Sequence, residues 1–92
     1  LKILDLDCNR IDSSKLEGVK FPSNLQNLNL CYNRITILDG IQFPQNLQKL
    51  DLCFNQITRL IIFPQNLKTL LLVNNCIENI NNVIFPQNLN KN

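Results

Sequence analysis

The chain has 92 residues, 45% of them apolar, and nine basic against seven acidic side chains give a formal net charge of +2. That is enough for one small domain, and the charges are spread along it, so the basic cluster of a nucleic-acid footprint is missing. Its longest apolar stretches, such as Leu60 to Phe63, fall far below the ~18 residues of a membrane span. Without histidine there is no ordinary Ser or Cys triad and too few ligands for zinc.

In chain order the sequence falls into units of 1–24, 25–46, 47–66 and 67–88, with a partial fifth at 89–92. Each of the four opens on the spacing L-x-x-L-x-L-x-x-N-x-I. The first copy is Leu1, Leu4, Leu6, Asn9 and Ile11, and the second is Leu25, Leu28, Leu30, Asn33 and Ile35. Leu47, Leu50, Leu52, Asn55 and Ile57 form the third, and Leu67, Leu70, Leu72, Asn75 and Ile77 the fourth. The second and third leucines of each copy stand two apart, the period of a strand that turns alternate side chains to one face. Four such strands stacked side by side make a parallel sheet with the leucines inside, roughly 4.8 Å from strand to strand.

Each unit runs into a recurring phrase: Phe21-Pro22-Ser23-Asn24-Leu25, Phe43-Pro44-Gln45-Asn46-Leu47, Phe63-Pro64-Gln65-Asn66-Leu67 and Phe85-Pro86-Gln87-Asn88-Leu89. Proline fixes its own φ and biases the phenylalanine before it toward extended geometry, which suits re-entry into the next strand. Phe21, Phe43, Phe63 and Phe85 are expected as wedges in the core. Between Ile57 and Phe63 only five residues remain. Helices of fewer than ~12 residues are marginal on their own, so the return path should be 3₁₀ or extended.

The repeat resembles the leucine-rich repeat family over essentially the whole chain. Its short period and the isoleucine after asparagine are similar to the 22-residue class. The resemblance implies an α/β-type solenoid, mostly β: a right-handed leucine-rich repeat with a parallel β-sheet on the concave side and 3₁₀ or extended segments on the convex side. It also implies a non-catalytic, intracellular protein–protein interaction module without cofactor. Two alternatives stand beside that: the substrate-recognition arm of a ubiquitin ligase, and a structural array with no specific partner. The partner is expected to be a protein, not a nucleic acid, a membrane or a metal. Because Leu1 already lies inside a repeat, the array reads as a piece of a longer one.

Asn9, Asn33, Asn55 and Asn75 sit where the chain leaves the strand. An amide both donates and accepts, so a column of them can satisfy backbone groups that the turn removes from the sheet, as the family's asparagine ladder does. The alternative is that asparagine is simply turn-prone. On the sheet face the expected partner-binding residues are Asp5, Asp7, Asn29, Tyr32, Arg34, Asp51, Phe54, Leu71 and Val73, graded from acidic to apolar along the stack. Tyr32 and Phe54 share one slot in adjacent units, so their rings should be neighbours, and aromatic residues are enriched at interface hot spots. Cys53, Phe54, Leu71 and Val73 are expected to form an exposed apolar patch; the alternative is that Phe and Val merely suit strands, or that a further repeat covers them. Cys8, Cys31, Cys53 and Cys76 follow the repeat rather than a disulfide framework, so they are expected as free thiols in a reducing, cytoplasmic setting.

Overall fold

The computed structural model describes residues 2–78, 80 and 83–89. Leu1 of the first copy and Asn90, Lys91 and Asn92 of the partial fifth unit lie outside them.

Three-residue strands form at the expected place in each unit: β1 Ile3–Asp5, β2 Asn27–Asn29, β3 Lys49–Asp51 and β4 Thr69–Leu71. They make one parallel sheet in the order β1-β2-β3-β4. Leu4 faces Leu28, Leu28 faces Leu50, and Leu50 faces Leu70, so the register is slot for slot. Backbone pairing continues past the strands in the same register, with Tyr32 N donating to Cys53 O (3.0 Å) and Phe54 N to Val73 O (2.9 Å).

The leucine columns carry the core. Leu25, Leu28 and Leu30 of the second unit and Leu47, Leu50 and Leu52 of the third are fully buried, joined by Ile35, Ile57, Leu38 and Phe63. Each such side chain is worth about 1.5–3 kcal/mol of burial, and each is covered by the unit on either side. Leu4, Leu6 and Ile11 in the first unit and Leu70, Leu72 and Ile77 in the fourth are only partly buried, having one such neighbour.

The phenylalanine wedges follow the same logic with one correction. Phe43 and Phe63 are buried and Phe21 half-buried, but Phe85 is 40% exposed. The two buried rings, Phe43 and Phe63, each have a phrase on both sides in this chain, whereas Phe21 and Phe85 are the first and last of the four. Within each phrase the leucine N–H closes a turn onto the proline carbonyl, as in Leu25 N to Pro22 O (3.1 Å) and Leu47 N to Pro44 O (3.2 Å). The phrase asparagines add a tie: Asn46 Nδ2 donates to Ser23 O (3.5 Å) and Asn66 Nδ2 to Gln45 O (3.1 Å), each one unit back.

The return path departs from expectation in the first unit. There a single α-helical turn, α1 Ser13–Leu16, replaces the 3₁₀ or extended segment. The other described return segments are irregular, with no 3₁₀ among them. The first unit has the longest return, and Asp12 caps the helix, its carboxylate accepting from Lys15 N (3.2 Å) and Ser14 Oγ (2.6 Å). Gly18, at φ 75°, turns the chain out of it. Ser13 Oγ then accepts from Thr36 N (3.0 Å) and Ile37 N (2.9 Å), clasping the first unit to the second.

Candidate functional site

The asparagine column is built as a staircase. Asn33 Oδ1 accepts from Asn9 N (3.1 Å) and Ile11 N (2.9 Å) of the unit before, while its Nδ2 donates to Leu6 O and Leu30 O, both at 3.0 Å. Asn55 Oδ1 accepts from Ile35 N (3.0 Å), and its Nδ2 donates to Leu30 O (3.0 Å), Leu52 O (3.1 Å) and Cys53 O (3.2 Å). Asn75 repeats the pattern with Ile57 N (3.0 Å), Leu52 O (2.9 Å) and Leu72 O (3.1 Å). Asn33 and Asn55 are buried and Asn75 half-buried. Asn9 differs: it is exposed and its amide donates only to Leu6 O and Asp7 O of its own unit.

Aiming these amides inward puts a demand on the residue before each. Cys8, Tyr32, Phe54 and Asn74 all have positive φ, at 59°, 57°, 57° and 60°. Asparagine tolerates that left-handed conformation, whereas a tyrosine or phenylalanine there costs about 1 kcal/mol or more. The turn compels it, and it throws the side chain outward. The Tyr32 and Phe54 rings therefore stack face to face, centroids 4.3 Å apart and planes 6° from parallel. They remain 52% and 39% exposed.

A second polar column lies on the sheet face and was not legible from the repeat. Asp5 Oδ1 accepts from Asp7 N (3.1 Å), Asn29 Oδ1 from Cys31 N (2.9 Å), and Asp51 Oδ1 from Cys53 N (3.0 Å). These are Asx turns that close the strand's exit. Leu71 holds the fourth place in that column, where no side-chain oxygen can cap. Three of the expected partner-binding residues, Asp5, Asn29 and Asp51, thus also hold the backbone.

The apolar patch needs one correction. Cys53, in the column Asp7, Cys31, Cys53 and Val73, is buried, so it offers little surface. Leu71 is half-buried, and Val73 is 62% exposed. Arg34 is exposed at the rim beyond the rings. Burial, helped by the hydrogen bond that the thiol donates to the Asp51 carboxylate, pushes Cys53 up to about 11. Cys31 is also raised, by burial and then by the charges of Asp51 and Asp7. Asp7 is held above its ordinary range by its side-chain hydrogen bond with Asp5 and by that group's charge.

All four cysteines are unpaired. Among the described residues no group of three or more Cys, Asp or Glu could hold a metal ion, and no helix is long and apolar enough to cross a membrane. The Arg59–Asp39 ion pair (2.8 Å) ties the second and third return segments at the surface, where such pairs are worth little.

The leucine rich repeat family profile matches residues 1–57, more than half of the chain. The chain belongs to the leucine-rich repeat family. No curated protein and no solved structure matches it significantly. Leucine-rich repeats generally mediate protein–protein interaction and are typically non-catalytic, so the family directs attention to the sheet face.

Proposed function

We propose that this leucine-rich repeat domain, spanning 1–92 as part of a longer right-handed solenoid, is a protein-binding module whose concave sheet face carries the binding residues. The observation behind this is the Tyr32–Phe54 stack. Two large rings occupy a backbone conformation that costs free energy and stay exposed, and the Phe54 backbone pairs with that of the exposed Val73. Aromatic anchors of that kind concentrate binding energy at interfaces. The four unpaired thiols support a reducing, intracellular setting.

The test compares capture of binding proteins by the native chain, Tyr32→Ala and Phe54→Ala, with Thr58→Ala on the return side as control. Each ring variant should bind more than tenfold more weakly, a loss of ~1.4 kcal/mol or more. Their stability should change by about 1 kcal/mol or less, the worth of an aromatic pair. If both variants fold and capture is unaltered, the rings are not the site and a structural array without a specific partner is the better reading.

A further inference from the structure

The sheet face is chemically two-ended. Asp5 and Asp51 stand two strands apart in one column, with Asn29 between them, and they wall a hollow of about 160 Å³ over β1–β3. One lysine, Lys49, shares its lining with the two carboxylates. In the described residues no ion pair joins Lys49 to either, so the lining, which also holds the exposed Ile3, sets two carboxylates against one ammonium and stays net acidic. A volume of that size accommodates one side-chain head. Next along the same two columns, on the fourth unit, the surface turns apolar at Leu71 and Val73.

Resting on the protein-binding reading above, we propose that this face takes an extended protein segment with a lysine or arginine about three residues from a large apolar residue. The cation enters the hollow between Asp5 and Asp51, and the apolar side chain covers Leu71 and Val73. The spacing follows from the sheet. From Asn29 at the middle of the hollow to Leu71 is two strand intervals, roughly 10 Å, which three residues of extended chain span. Charge complementarity selects the first residue and the removal of exposed apolar surface the second. Neither end alone specifies the segment; their fixed separation does.

The Asx turns supply a charge-only test, because Asn29 already makes with an amide the turn that Asp5 and Asp51 make with carboxylates. The probe is a displayed library of random dodecapeptides selected on the 92-residue chain, with enriched peptides then titrated by fluorescence anisotropy. Enriched sequences should carry Lys or Arg three or four residues from Leu, Ile, Val or Phe. D5N/D51N should weaken them about fivefold to tenfold, with an unchanged thermal midpoint. Leu71→Asn should instead remove the preference for the apolar residue. As a check that needs no variant, raising NaCl from about 50 to about 500 mM should weaken binding to the native chain. Peptides that bind D5N/D51N as tightly as the native chain, or that lack a basic residue, overturn this proposal while leaving the ring-dependent interface standing. A library that yields no enrichment also overturns it; the interface reading falls with it only if Tyr32→Ala and Phe54→Ala leave protein capture unaltered.

Discussion

Replacing Asn55 by alanine removes four hydrogen bonds, but their losses are unequal. Leu30 O keeps Asn33 Nδ2, Leu52 O keeps Asn75 Nδ2, and Cys53 O keeps Tyr32 N. Ile35 N alone loses its one partner, and Ile35 is fully buried. An orphaned buried N–H costs about 1–3 kcal/mol, and three carbonyls losing one of two donors add to it. We expect Asn55→Ala to destabilise the domain by about 2–3 kcal/mol. In urea, with a slope of about 1 kcal/mol/M for a domain this small, the midpoint should fall by about 2–3 M. Gln56→Ala beside it, exposed and facing away, should stay within about 0.5 kcal/mol of the native chain. Asn9→Ala should lie between, because no preceding N–H depends on that side chain. Equal midpoints for Asn55→Ala and Gln56→Ala would refute the staircase as a source of stability.

The phenylalanines give a second comparison. Phe63→Ala should cost about 3–5 kcal/mol as a fully buried ring, whereas Phe85→Ala, 40% exposed, should cost well under half of that by thermal or urea unfolding. For the thiols, labelling of the native protein at pH 8 should be slowest at Cys53 and faster at Cys8 and Cys76, which are exposed, as read by peptide mass spectrometry. The thiolate is the nucleophile, and a folded-state pKa near 11 leaves little of it. Since that value lies above the ordinary 9.0, the stability Cys53 contributes should be complete below pH 9 and lost as pH rises toward 11, a decline that Cys53→Val should lack.

The elements that sequence made legible are those that recur without chemical variation. Leu28, Leu50 and Leu70 hold one slot with one residue type, as do Asn33, Asn55 and Asn75, so strand, register and staircase could all be placed. The Asx-turn column was hidden because Asp5, Asn29 and Asp51 mix charge and amide, and because Leu71 ends it. The left-handed residues were hidden for the opposite reason. Tyrosine, phenylalanine and cysteine disfavour positive φ, so no local preference announces what the inward-turning amide imposes. The asparagines of the phrase, Asn46 and Asn66, recur as faithfully as the staircase, but nothing in the phrase itself announces their donation to the unit before. Asp12 before Ser13 and Ser14 is a helix-start pattern that the shortness of the return does not take into account. On the site, proximity of Tyr32 and Phe54 followed from the register, while the burial of Cys53, in the same slot as the less buried Cys31, had no signal in the repeat.

The direction of the staircase has a consequence of its own. Every inter-unit bond made by Asn33, Asn55 and Asn75 reaches toward the N-terminus, so in this column a layer's isoleucine N–H is housed by the layer that follows it. Coupling between layers is nearest-neighbour but not symmetric. A chain growing from its N-terminus must wait for the next asparagine to emerge before the previous isoleucine N–H is housed. Loss of order from the C-terminal side strips each preceding isoleucine N–H of its asparagine acceptor in turn, whereas loss from the N-terminal side leaves the remaining asparagine oxygens in place. The side-chain part of the coupling is thus directional, set by the orientation of one amide per layer, and it is superimposed on the burial of leucine that the layers share.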